Sequence, residues 1–471
     1  MKKILLLSLL FFVKFYGQSS WQGVANPIGA SITPSSTKPK YNKNAVVGYG
    51  LNDTPVIAYI DQNNKIAVKA FYNGTGWITI GNAANITTNN VTNIDLEIHP
   101  VTKEVFIVYS DGGSSPANRP IVKKYNGSGW DTVGGGYVAT TASIINDIEF
   151  DKNNVLTIAY LANPGSLNVK RYDTAWNIIG YGDIGTATTQ VASARVDLDF
   201  NASNQPYVLY WDTVGISNAP GHYLTKFNGT TWEYIGNSRV NPSSSGSDYR
   251  LAVVGDIPWL SYAEGTAVKI LNYNGGWNVI PTAASVSGDG NDHVEIESYG
   301  TNLYVGYQQI FYPVSSVSYA LKTYDTVNGT WAGTVIGNSF IYNNPTTDRI
   351  LHNTPSFALS STNMPMVVYA SGTNTAMAYY YGPTNFLSVE DFNASGLSMF
   401  PNPVLDHVSI ANNNNVQISA YAVVDLNGRT LVTKKYDANS NLIDLTNLKK
   451  GIYFIQLQTE KGTLSKKISK D

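Results

Sequence analysis

Two aromatic markers recur seven times in a constant order, and this repetition constrains the fold more than any other feature. Trp follows a short turn at Trp21, Trp77, Trp130, Trp176, Trp232, Trp277 and Trp331. Tyr closes an apolar run in PVIAY (Tyr59), VFIVY (Tyr109), LTIAY (Tyr160), PYVLY (Tyr210), PWLSY (Tyr262), LYVGY (Tyr307) and PMVVY (Tyr369). Successive tyrosines lie 50, 51, 50, 52, 45 and 62 residues apart. Each unit has the same internal order. In the second, NIDLEI (Asn93–Ile98) alternates, EVFIVYS is apolar, RPIVKKY reads as a third strand, NGSG as a two-residue-hairpin type of turn, and WDTVG as a fourth strand. Four short antiparallel strands in about 50 residues make one blade of a β-propeller.

Such a unit cannot cover both faces of its sheet alone, and radial stacking of seven units does so. The ends suggest how the ring closes. The seventh unit lacks a Trp strand, and WQGVANPIG (Trp21–Gly29) stands alone before the first. The N-terminal strand is therefore expected to complete the seventh blade. The recurring aromatics are expected to pack the core, where they bury large apolar area.

Composition agrees with an all-β chain. Charged residues make up only 14%, too few for the Lys- and Glu-rich faces of surface helices. The absence of Cys excludes disulfides, Cys-ligated metals and thiol nucleophiles. A formal net charge of −2 gives no reason to expect nucleic acid as a partner. The start, MKKILLLSLLFFVKFYGQSS, has a basic pair and a ten-residue apolar run, Ile4–Val13. A transmembrane helix needs about 20 residues, so residues 1–17 read as a secretory signal peptide and no transmembrane segment is expected. The propeller is expected over 18–384 and a linker over 385–390.

From residue 391 the composition shifts to Lys, and Trp vanishes. LSMFPNPVLDHVSI, AYAVVDLNGRTLV and LIDLTNLKKGIYFIQLQTEKGTLSKKISK alternate apolar and polar residues. About seven short strands over 391–471 suggest a small Ig-like β-sandwich. These strings resemble the type A C-terminal sorting domain of the bacterial type IX secretion system. The matching positions are Phe400 with Pro401, Asn402 and Pro403, then Asp425 with Asn427 and Gly428, then Leu448 with Gly451, Ile452 and Tyr453, and the basic tail with Lys461, Lys466 and Lys467. The resemblance implies the type IX machinery as a partner. It also implies an address outside the cell, released or attached to the outer surface.

Chemistry is sparse. There is no HExxH, no GxSxG elbow and no phosphate loop, and the five His form no close pair. Innermost strands carry acids at spacing two: Asp95 and Glu97, Asp147 and Glu149, Asp197 and Asp199, Glu295 and Glu297. Alternation puts each pair on one strand face. One reading is a divalent cation site, Ca²⁺ for instance. The other is a set of acceptors for neighbouring blades or channel water. A second set follows the marker Tyr by two residues: Asp61, Asp111, Asp212 and Glu264. With His222, Phe311 and Tyr312 these sit on the second-to-third-strand loops, the usual ligand face. A non-catalytic module binding a glycan or a protein is the leading reading. A polysaccharide-active enzyme with carboxylates on that face, and a structural adhesion module without a small ligand, are the alternatives.

Overall fold

The computed structural model describes residues 20–24, 45–72, 76–81, 86–162, 166–180, 196–212, 215–240, 247–264, 267–280, 290–311, 316–331, 356–370, 376–382, 397–413, 415–425, 430–437, 440–459 and 462–471. The signal peptide, the linker and Gly428 lie outside them, as do Tyr312 and the side chain of Phe311. Among the described residues the structure is all-β, and up to residue 382 these form seven four-stranded antiparallel sheets. Sheets 1 to 6 span 45–79, 91–132, 143–178, 196–234, 247–280 and 290–331, each with strands in sequential order. Sheet 7 takes Ser356–Leu359, Pro365–Ala370 and Ala376–Gly382, and Ser20–Gly23 pairs with the last of these as its fourth strand. The first strand of each sheet touches that of the next, and that of sheet 7 touches that of sheet 1.

The marker residues explain this stacking. All seven marker tyrosines are buried, at 4% exposure or less. Three of the tryptophans clasp neighbouring sheets by hydrogen bonds. Trp176 Nε1 donates to Val133 O of sheet 2 (3.3 Å), and Trp232 Nε1 to Ile179 O of sheet 3 (2.9 Å). Trp77 Nε1 donates to Val24 O, just past the N-terminal strand (2.7 Å). Glycine permits this approach. Gly134 and Gly180 have positive φ and lie where a Cβ would come within 3.0 Å of Trp176 and Trp232.

The repeated Asn-Gly phrase forms a longer turn than a two-residue hairpin. Tyr125 pairs with Trp130, which leaves four residues in the loop. The Asn126 side-chain oxygen accepts from the amides of Ser128 (3.1 Å) and Gly129 (2.8 Å), and Asn228 repeats this with Thr230 and Thr231. The Asn carboxamide thus caps the wider loop.

Beyond residue 396 a three-stranded sheet (Leu397–Phe400, His407–Asn412, Leu442–Asp444) and a four-stranded sheet (Ile418–Asp425, Thr430–Lys435, Gly451–Thr459, Gly462–Lys470) share one apolar core, including Leu397, Val408, Ile443, Val423, Ile455 and Ile468. Asn402, between Pro401 and Pro403, ties the entrance to the last strand. It donates to Lys467 O (3.0 Å) and accepts from Ser469 N (2.8 Å). Gly451 opens the strand that ends at Thr459, and Lys466 and Lys467 lie half-buried and exposed on the final strand.

Gly180→Ala is expected to cost about 2 kcal/mol or more, from backbone strain plus the clash with Trp232. Gly275→Ala, also at positive φ but with open space around it, is expected to cost about 1 kcal/mol. Chemical denaturation of the two variants reads the difference.

Candidate functional site

The first strands place their acids around a central chamber of about 560 Å³ that all eight line. Strand register shows that they form two tiers. The residue opposite the one preceding each marker Tyr is Val46, Asp95, Asp147, Asp197, Arg250, Glu295 and Ser356 in sheets 1 to 7. Two residues on come Gly48, Glu97, Glu149, Asp199, Ala252, Glu297 and Ala358. The upper tier therefore holds four acids and one cation, and the lower tier four acids and none. Lys103 and Lys152, on first-to-second-strand hairpins, also line the chamber.

The acids satisfy a need that the fold creates. An innermost strand is a sheet edge, and its outward N–H groups have no strand partner. Asp147 Oδ2 accepts from Leu198 N of the next sheet (2.7 Å), Asp197 Oδ2 from Leu251 N (3.1 Å) and Asp199 Oδ2 from Val253 N (2.6 Å). Such charge-assisted bonds are stronger than neutral ones. Arg250 bridges two sheets at once. Its Nη2 donates to Glu295 Oε1 (2.7 Å) and its Nη1 pairs with Asp197 Oδ1, with all three side chains buried. Among the described residues no group of three or more His, Cys, Asp or Glu is placed to hold a metal ion.

Glu149 has a different environment. It is half-buried and faces the chamber among the other acids. Burial pushes its carboxyl well above the usual range, and Glu97, Asp199, Glu297 and Asp147 add to the rise. Asp199 is raised too, by burial, against the lowering effects of Lys152 and of the Phe200 and Val253 amides.

On the second-to-third-strand loops, the expected ligand residues serve local structure. Asp61 Oδ1 accepts from the amides of Asn63 (2.8 Å) and Lys65 (2.9 Å). Asp111 is buried and accepts from Tyr137 OH (2.9 Å), and the Arg119 guanidinium lies over the Tyr137 ring. Asp212 is buried and accepts from Gly215 N (2.9 Å), and Glu264 pairs with Lys269. His222 is buried between Trp211 (ring centroids 4.9 Å) and Tyr249 (4.6 Å), so it packs the core and offers no exposed face.

A second cavity, of about 660 Å³, lies between sheets 1 and 2 and escapes the sequence reading. Its lining includes Thr54, Tyr72, Thr102, Lys103, Glu104, Tyr125, Asn126 and Thr430. Register distinguishes its two tyrosines. In sheet 2 Tyr125 stands opposite Trp130 and packs on it, but in sheet 1 Phe71 takes that place against Trp77. Tyr72, one residue on, lines the cleft. Burial raises its hydroxyl pKa to about 12, with Tyr125 and Asp425 adding to the rise. The one signal in the sequence is that sheet 1 carries two aromatics, Phe71 and Tyr72, before Asn-Gly.

Arg250→Leu leaves Asp197 and Glu295 buried without their cation and is expected to cost about 3–5 kcal/mol by denaturant unfolding. Glu149→Gln tests the lower tier. A raised folded pKa favours the protonated native state, so that contribution is complete below the unfolded value of about 4.3 and is lost as pH rises through the folded value. The Gln variant is expected to match the parent below pH ~4 and to gain stability over it as pH rises, in melting curves taken across pH.

Residues 398–471 match the family model described as secretion system C-terminal sorting domain. No curated protein matches the chain. Among solved structures, the chain is similar to the BP39L lectin of Burkholderia pseudomallei (13% identity, TM-score 0.47, covering 73% of this chain and 98% of that one). It is also similar to the fucose-recognising lectin of Aleuria aurantia, described as a six-bladed β-propeller (13%, 0.39, 63% and 96%), and to a Dyadobacter fermentans protein of unknown function (12%, 0.40, 75% and 97%). At TM-scores below 0.5 none of these likenesses decides the number of sheets or the ligand here. No helix among the described residues is long and apolar enough to cross a membrane. The chain carries a type IX sorting domain behind a β-propeller-like region, and it is exported, to be secreted or attached to the outer cell surface.

Proposed function

We propose that this chain is a seven-bladed β-propeller over residues 18–384, closed by its N-terminal strand, and joined by a linker at 385–390 to an Ig-like sorting sandwich over 391–471. The signal peptide, 1–17, takes it to the periplasm, and the type IX machinery takes it out. Outside the cell it acts as a non-catalytic binding module whose ligand is a glycan. The observation that supports the glycan reading is the cleft between sheets 1 and 2. Aromatic rings beside hydroxyl, carboxamide, ammonium and carboxylate groups suit a sugar, which offers an apolar face and a rim of hydroxyls. Its volume falls within the range of small-molecule sites, roughly 300–1,000 Å³.

The enzyme alternative draws less support. Hydrolysis needs two carboxylates set around a scissile bond. Asp61, Asp111, Asp212 and Glu264 instead engage turn amides, a tyrosine hydroxyl and a lysine. A protein ligand remains the outcome if no sugar binds.

The test is retention of the full chain, at high protein concentration, on a panel of immobilised mono- and oligosaccharides. Saturable retention is expected, unchanged by a calcium chelator. Tyr72→Ala is expected to weaken it on the order of tenfold, about 1.4 kcal/mol. Absence of retention by a chain with an intact thermal transition would overturn the glycan reading.

A further inference from the structure

The cleft between sheets 1 and 2 is bounded partly by the C-terminal module, through Thr430. The Phe454 ring stacks on Tyr72, with centroids 5.8 Å apart and planes within 10°. Asp425 lies close enough to raise the hydroxyls of both Tyr72 and Tyr125. These three residues come from neighbouring strands. Thr430 and Phe454 are each opposite Val424, and Asp425 is opposite Tyr453. Tyr453 and Ile455 face the sandwich core, so alternation puts Phe454 and Val424 on the outer face. Val424 is nevertheless buried. On the outside of the sandwich Val424 is thus shielded, and Phe454 beside it meets Tyr72 at the cleft.

We propose that the sorting module docks on sheets 1 and 2 as a cover over the glycan cleft, so that ligand binding and module docking compete. The proposal rests on the glycan reading for its ligand and on the Phe454 contact for its cover. Phe454 and Asp425 form the docking edge, and Tyr72 and Tyr125 receive it. While the module is seated, Phe454 occupies one face of the Tyr72 ring and Thr430 walls the cleft, so a sugar that stacks on that face must displace Phe454. The apparent affinity then falls by the fraction of molecules with the cleft open.

The test uses the full chain and two variants, Phe454→Ala and Asp425→Asn. Phe454 faces outward, so its loss spares the sandwich core, and Asp425→Asn keeps the side-chain shape. Hydrogen exchange is followed in residues 50–56, 102–105 and 125–127, and retention on the saccharide panel is measured in parallel. Faster exchange in these segments, with retention strengthened about tenfold in Phe454→Ala, is the expected result for a cover closed in about nine molecules of ten. Unchanged exchange in both variants, with parental melting curves, would overturn the cover. Faster exchange without retention of any saccharide would uphold docking and overturn the glycan as competitor. Retention of equal strength in all three proteins would overturn competition while leaving the glycan reading in place.

Discussion

Covering the inner edge and both faces of each four-stranded sheet is the constraint on which the rest depends. A lone sheet of this kind leaves two apolar faces and a row of edge amides in water. Radial stacking covers the faces, and the details follow from it. Trp reaches across to a neighbouring carbonyl, and glycines at positive φ let it approach. Asp at spacing two reaches across to the neighbour's edge amides. The same sequence periodicity thus serves packing on the outer side of each sheet and hydrogen bonding on the inner side.

The inner tier concentrates negative charge, and the two tiers meet that problem differently. In the upper tier Arg250 replaces an acid in sheet 5 and ties Asp197 to Glu295 across three sheets. In the lower tier no cation stands among the strands, and Glu149 responds by favouring its protonated form. The chamber is a stabilising network whose groups are largely committed to one another. The acids on the second-to-third-strand loops are committed too, to their own turns. The proposed ligand chemistry therefore centres on the cleft, where a change of register in sheet 1 sets Phe71, and not Tyr72, against Trp77.

The sorting module adds a partner that the propeller repeat does not anticipate. Its core is self-contained, yet Phe454 of its four-stranded sheet stacks on Tyr72 of sheet 1. A domain that addresses the protein for export also contacts the cleft where its ligand would bind. Under the proposed function, one aromatic pair connects export and recognition.

Much of the architecture is legible in the sequence because it repeats. Seven Tyr at near-constant spacing and seven Trp after short turns indicate the number of sheets, and the unpaired Trp21 strand indicates which ends meet. The Pro401–Pro403 string and the basic tail indicate the address. The chemistry of individual side chains is not legible in this way. Alternation places Asp197 and Asp199 on one strand face, but only the adjacent sheet shows that this face meets the amides of Leu251 and Val253. His222 reads as a loop histidine until Trp211 and Tyr249 close around it. Tyr72 reads as one more copy of a repeated phrase until strand register hands its place to Phe71. Periodicity is a local property and survives in one dimension. What a polar or aromatic side chain does depends on which distant strand lies opposite it, and only the tertiary structure decides that.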